Sequence, residues 1–304
     1  MTNASPLRAM RLTEWALLLA LSLLWGGSYL FMKIAVGALP TFTIVFGRVS
    51  IACLVLGAVL IVSGVGLPKG RAAWLAFLGM GALNNVIPMS LIVFGTHSIS
   101  AGLASILNAM TPLFTIIVAH FVTQDEKLTA GKVIGIILGI VGVTVLIGPG
   151  ILADVGTSLT GEIACLFAAL SYACANNFGR RFARLGIKPL QIAFGQVTAS
   201  TLILFPITAI IDAPWTLPVP PMVPLLSVIA LGLFCTALAY VIFFRILNRS
   251  GALAIALVTL MIPPSAVALG AVVLGETISA QNLAGMGLIG LGLIAVNRRK
   301  TASQ

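Results

Sequence analysis

Apolar runs broken by short polar stretches follow one another along the whole 304-residue chain. A helix needs about twenty apolar residues to cross a hydrocarbon layer of about 30 Å. Ten runs of that length fall between charged or Pro/Gly-marked breaks, at 14–36, 41–63, 72–95, 99–122, 128–147, 160–179, 189–211, 223–245, 251–274 and 279–297. The polar breaks then orient them, because cytoplasmic loops collect Lys and Arg. Fifteen of the seventeen basic residues precede span one, follow spans two, four, six and eight, or close the chain after span ten, which is one side throughout. The other two, Lys33 and Arg48, lie inside spans one and two. The opposite loops carry Asp154, Asp212 and Glu276, with His97 nearby and no basic residue. The pattern therefore predicts an all-α polytopic membrane protein of ten transmembrane helices with both termini cytoplasmic.

The pattern also repeats. Setting Ser250 under Ser100 without a gap places Leu253 under Leu103, Leu257 under Leu107, Glu276 under Glu126, Gly285 under Gly135 and Gly292 under Gly142. Pro112 and Pro263 match one residue out of register. At the front of each half Phe46-Gly47-Arg48-Val49 matches Phe194-Gly195-Gln196-Val197, and Trp25 matches Tyr172 when Lys33 is set on Arg180. A self-match of that length is read as an internal duplication. Its two units are residues 1–150 and 151–304. Five spans per unit is an odd number, so the second five-helix repeat enters the membrane inverted, an architecture common among secondary transporters whose site lies at the midplane between the repeats. Span one reaches membrane length and carries its share of the repeat, so it is read as a retained helix and not a cleaved signal.

Composition changes this picture little. With 60% hydrophobic and 8% charged residues, no water-facing domain can be covered. The net charge of +10 sits in short clusters between spans, so it forms no continuous face that could follow the phosphates of nucleic acid. Cys53, Cys165, Cys174 and Cys235 lie inside apolar runs without metal-ligand spacing, and nothing calls for a metal or a cofactor.

Trp25-Gly26-Gly27-Ser28 in span one, an Arg in span two, the Pro112 and Pro263 helices and Glu126-Lys127-Leu128-Thr129 before a glycine-rich helix resemble the drug/metabolite transporter superfamily, and within it the ten-helix EamA-type members. Leu83-Asn84-Asn85-Val86-Ile87-Pro88 further resembles its bacterial amino-acid exporters, including those for aromatic amino acids. Gly275-Glu276-Thr277-Ile278 keeps the usual glycine and acid, whereas Gln124-Asp125-Glu126 departs from it. The resemblance implies export of small metabolites across the cytoplasmic (inner) membrane of a bacterium, through a central cavity lined by both halves.

Arg48 is the sharpest candidate for chemistry. A charge some two turns into a membrane helix costs several kcal/mol unless it is paired or faces a wet cavity. It is read either as a carboxylate anchor or as a structural clasp for span two. Buried amides need partners, so Asn84, Asn85, Asn108, Asn176, Asn177 and Gln196 either bridge helices or face the cavity. Neighbours on a helix point about 100° apart, which places one amide of each adjacent pair on the cavity. Trp25, Tyr29, Tyr172 and Tyr240 are candidates to stack on an apolar substrate, or else ordinary packing residues. Pro88, Pro112, Pro263 and Pro264 each interrupt a hydrogen-bond ladder, as static kinks or as hinges of a gate. The Gly131, Gly135, Gly139 stripe permits close helix contact, within the molecule or across a dimer.

No Asp or Glu stands in the middle of a span. Transport is therefore expected to be facilitative, or coupled only through an end-of-helix Glu such as Glu162 or through a His. The same absence disfavours two other readings, an exporter of hydrophobic cations and an intramembrane enzyme, because both need buried acids.

Overall fold

Where no water is available to hydrogen-bond a backbone, an open chain satisfies its own N–H and C=O groups only as helix. The computed structural model describes residues 12–123, 129–147 and 157–297, and among these no strand occurs. Its α-helices are α1 (Leu12–Ala35), α2 (Thr41–Val62), α3 (Arg71–Gly81), α4 (Ile87–Thr96), α5 (Ala101–Asn108), α6 (Thr111–Val122), α7 (Ala130–Ile147), α8 (Thr157–Arg184), α9 (Pro189–Ile207), α10 (Met222–Gly232), α11 (Ala239–Leu274) and α12 (Ala280–Asn297). Eight segments are long and apolar enough to cross a membrane, while Ala130–Leu146 and Ala280–Ala295 are apolar but shorter. Arg8, Arg11, Glu126, Lys127, Asp154 and the basic C-terminal cluster lie outside the described residues.

Four expected spans are not plain helices; in the one at 189–211, α9 carries Pro206 and passes into a π segment at Thr208–Asp212. A π turn, Ala82–Val86, separates α3 from α4, because Pro88 has no N–H for the carbonyl of Asn84 and its ring crowds that oxygen. The counterpart segment Leu233–Leu238 is also π-helical, without a proline; here the Thr236 hydroxyl donates to the Leu231 carbonyl at 2.8 Å. The span at 99–122 breaks between α5 and α6, and the Asn108 carbonyl that Pro112 cannot serve accepts a 2.7 Å bond from the Thr111 hydroxyl. Pro263 and Pro264 sit inside α11. That helix joins two expected spans without a gap in helical pairing, yet the chain turns back within it. Trp25 packs on Phe243, with ring centroids 5.7 Å apart, and α1 then runs antiparallel alongside α10. Gly26 instead abuts Ile262 and Ser265, and Gly27 abuts Leu269, so α1 runs parallel to the second part of α11.

Counterpart helices pack on each other reciprocally. In the pair α7 and α12, a Cβ on Gly292 would lie 2.6 Å from the Gly135 carbonyl, and one on Gly285 would lie 2.8 Å from the Gly142 carbonyl. Exchanging the halves turns one contact into the other, and the two helices are antiparallel. The same holds for α2 and α9: a Cβ on Gly57 would lie 3.0 Å from the Phe194 ring, while Phe46 and Phe205 stand 6.1 Å apart. The glycine stripe of α7 is thus used inside the molecule.

At the end of the bundle away from the basic loops, charged side chains serve helix termini. Lys33 Nζ donates to the carbonyls of Thr96 at 2.7 Å and Ile99 at 2.9 Å. Glu276 accepts from the N–H groups of Ala101 at 2.7 Å and Gly102 at 3.1 Å. Asp212 accepts from Thr43 N–H at 2.6 Å and its hydroxyl at 2.9 Å. Cations at helix C-termini and anions at N-termini offset the exposed peptide dipoles.

Gly285→Ala and Gly292→Ala are each expected to destabilise the protein by about 1–3 kcal/mol, since the new methyl at 292 would meet backbone and the one at 285 would meet the branch carbon of Leu146 as well as the Gly142 carbonyl. Gly287→Ala, which meets nothing within 4 Å, is expected to leave stability unchanged or raise it through better helix propensity. Thermal unfolding of the purified variants in detergent checks both outcomes.

Candidate functional site

The two π turns shape the centre of the bundle. Each is preceded by a glycine that lets a partner helix come close: a Cβ on Gly81 would lie 2.9 Å from the Gln196 carbonyl, and one on Gly232 would lie 2.9 Å from the Arg48 carbonyl. These contacts are again counterparts. Widened π turns and close-packed glycines leave room between the helices for a cavity of about 490 Å³, the size of a small-molecule site. It runs from mid-bundle toward the ends that carry Arg180, Lys188 and Arg245, reaching Phe182, Ile192, Leu247 and Ile255. Beyond Tyr29 and Ile92 the helices close in a core that includes Leu39, Val93, Ile99, Ala169 and Leu204. The cavity is sealed on that side.

Among the described residues Arg48 is its single charged lining residue, and it is 6% exposed. The side chain leaves α2 and ties three segments together. Its Nε donates to Thr236 Oγ1 at 2.8 Å, Nη1 donates to Ser28 Oγ at 2.9 Å and approaches Met32 Sδ at 3.8 Å, and Nη2 points to the Cys235 carbonyl at 3.4 Å. All these partners are neutral. A guanidinium carries five N–H donors in a flat fork, so the Nη2 edge retains capacity for an anion.

Opposite Arg48 the counterpart Gln196 receives Asn84 Nδ2 at 3.1 Å, and Asn84 also donates to the Tyr240 hydroxyl at 3.1 Å. The Tyr240 hydroxyl donates to Asn85 Oδ1 at 3.0 Å, and Asn85 Nδ2 donates to Ser200 Oγ at 2.9 Å. The Asn108 amide donates to the Tyr29 hydroxyl at 2.8 Å, while its Oδ1 is buried without a partner. All three tyrosines of the chain, Tyr29, Tyr172 and Tyr240, line the cavity.

The structure separates the adjacent amides. Asn84 and Asn176 line the cavity, together with Trp25, Tyr29, Arg48, Asn108, Tyr172, Gln196 and Tyr240. Asn85 and Asn177 do not. Asn85 is fully buried as an interhelical bridge, and Asn177 donates to the carbonyls of Thr115 at 3.1 Å and Ala173 at 3.0 Å. Their candidacy as lining residues is corrected on that ground: each points about 100° away from its cavity-facing neighbour. Asn176 is itself exposed and bonds Thr115 Oγ1 at 3.2 Å. Among the proline positions, Pro88 follows the first π turn and Pro112 the break in the fourth span, whereas Pro263 and Pro264 line a separate apolar pocket of about 240 Å³ with Ile106 and Ala109. Sequence reasoning passed over Ser28, Cys235 and Thr236, the groups that hold Arg48. Cys235 and Thr236 stand where the repeat sets Asn84 and Asn85, which was a signal available in the sequence.

A multi-pass helical protein with a half-buried, largely neutral cavity sealed at one end is built as a membrane transporter. The EamA-like transporter family model matches residues 13–148 and again residues 159–298, and the chain belongs to that family, within the drug/metabolite transporter superfamily. An "uncharacterized transporter YoaV" of Bacillus subtilis is 25% identical over 256 residues, 83% of this chain and 86% of that one. A "probable amino-acid metabolite efflux pump" of Escherichia coli is 28% identical over 174 residues, 55% of this chain and 58% of that one. A crystal structure, 21% identical, superposes with a TM-score of 0.66 over 95% of this chain and 98% of that one, which shows the fold.

Asn85→Ala is expected to cost about 2 kcal/mol, because it leaves Ser200 and Tyr240 each short of a buried partner. Asn176→Ala, at an exposed position, is expected to stay within about 0.5 kcal/mol of wild type. Unfolding midpoints of the two variants in detergent check the contrast.

Proposed function

We propose that the chain is a secondary transporter that exports amino acids or similar small metabolites across a bacterial cytoplasmic membrane, using the cavity around Arg48 as its substrate site. On this reading the ten apolar helices all cross the membrane as two inverted five-helix repeats, with the basic loops and both termini in the cytoplasm. The reciprocal, antiparallel packing of α7 on α12 and of α2 on α9 supports the inversion. The family itself supports transport, and a relative named for amino-acid metabolite efflux supports the substrate class.

One observation carries the reading: a buried guanidinium with only neutral partners faces an otherwise uncharged cavity of metabolite size. An arginine fork suits a carboxylate, and the neutral amides and tyrosines around it add no second charge to the cavity. The alternative substrate, a hydrophobic cation, would enter a cavity whose sole charge repels it. With the cavity reaching the basic-loop end and sealed at the other, this conformation loads substrate from the cytoplasm. Release requires the opposite seal to open, with bending at Pro88, Pro112, Pro263 and Pro264.

Coupling to protons has little support inside the bundle. His97, just past the end of α4, has a pKa below the ordinary histidine value through burial and then through nearby Lys33. Glu162 lies on α8, buried and off the cavity lining. Transport is therefore proposed to run down the substrate gradient.

Uptake into proteoliposomes tests the function, with a panel of radiolabelled amino acids each followed for its own entry. Saturable uptake that falls about tenfold or more in Arg48→Ala, in protein that still elutes as a folded monodisperse peak, is the expected result. No uptake of any amino acid, with drug resistance in overexpressing cells, would favour the cation exporter. Uptake that does not change when a pH gradient is imposed is the expected sign of a facilitative carrier; substrate-dependent proton flux abolished by Glu162→Gln would contradict it.

A further inference from the structure

We infer that the cavity recognises the carboxylate of its substrate and leaves the amino group unrecognised, so that its substrate class is the monocarboxylate with an apolar tail, aminated or not. The inference rests on the cavity being the transport site and deepens that reading.

The charge inventory carries it. Among the described residues the lining holds one full positive charge, Arg48, and no acid. A zwitterion bound through its carboxylate to the Arg48 fork holds its ammonium within a few ångströms of the guanidinium. That second cation gains nothing from the lining unless strong acceptors converge on it, because taking a charge out of water is offset only by partners of opposite sign or several good hydrogen bonds. Among the described lining residues no carboxylate stands to meet it, and the acceptors are neutral oxygens, several of which already take a bond. The Gln196 side-chain oxygen takes a bond from Asn84, and Asn85 Oδ1 takes one from Tyr240. Asn108 Oδ1, which has no partner, is buried out of reach of the free space. Thr236 and Ser28 each accept a bond from the Arg48 cation, which makes their oxygens poorer acceptors for a second cation.

The tail has a clear place. From the polar centre toward the open end the cavity passes an aromatic wall: Trp25 on Phe243 at 5.7 Å, Phe243 on Phe244 at 5.0 Å and Tyr240 on Phe244 at 6.5 Å. An apolar tail lies along this wall while the carboxylate reaches the sealed end. The counterpart positions are chemically unequal, Arg48 against Gln196 and Ser28 against Ala175, so a ligand with one charged end binds in one orientation.

Three ligands that share one tail test the inference: phenylalanine, 3-phenylpropanoate and 2-phenylethylamine, each titrated onto purified wild-type protein in detergent by calorimetry. The expected result is that the two carboxylates bind within about threefold of one another and the amine binds at least about tenfold more weakly. Arg48→Gln is expected to weaken both carboxylates by the same factor, about 10- to 100-fold, as for loss of a charge-assisted bond. Arg48→Lys, which keeps the charge without the fork, is expected to fall between. Tight phenylalanine with 3-phenylpropanoate more than tenfold weaker would overturn the inference and leave amino-acid transport standing. Preferential binding of the amine would overturn both. Binding of none of the three overturns the proposed tail and carboxylate class, and the uptake panel then decides the transport reading by itself.

Discussion

A guanidinium held in the middle of an apolar bundle, with only neutral partners among the described residues, is the interaction from which the centre of this protein follows. Breaking a buried charge from its partners costs several kcal/mol, so the segments that supply those partners are held in register. Arg48 reaches Ser28 on α1 and Thr236 and Cys235 in the second π turn. It thereby joins the first and second spans to the eighth. The π turn is what aims Thr236 and the Cys235 carbonyl at it, and Gly232 is what allows α2 to lie close enough for the contact. Neutral partners satisfy the geometry of the fork and leave its charge available.

The second constraint is reciprocity. Arg48 reaching the Cys235 carbonyl and Gln196 bonding Asn84 are counterpart contacts, as are Gly232 against the Arg48 carbonyl and Gly81 against the Gln196 carbonyl. A backbone arranged this way provides two similar half-sites, and the side chains then make them different. One half carries a cation, the other an amide network that ends on Ser200. A similar backbone in both halves suits two related conformations, each opening one end. Chemical asymmetry suits a substrate with two unlike ends. The helix-end contacts of Lys33, Glu276 and Asp212 all lie at the sealed end and hold the loops there in place.

Much of this was legible along the chain, because the signals are one-dimensional. Span length, loop charge and the self-match need only counting. Arg48 stands out in sequence because a charge in an apolar run is costly wherever the helix sits. The adjacent amides show where such counting stops. Asn84 and Asn85 are identical in type and burial context along the chain, and rotation by about 100° about one helix axis separates a cavity residue from a structural bridge. The glycine stripe was equally ambiguous until α12 was found packed on it.

The sequence by itself determined that the chain is a duplicated, helical membrane protein with two cations, Lys33 and Arg48, and clustered amides in its spans, since hydrophobic length and charge placement are local properties. The tertiary structure decided which groups meet. The partners of Arg48 lie 20 and 188 residues away, and Ser28 and Thr236 look unremarkable in their own runs. The π turns that widen the cavity depend on packing against neighbouring helices, and only the first is marked by a proline. Which end of the cavity is open depends on how whole helices tilt against one another, a collective property that no stretch of sequence encodes alone.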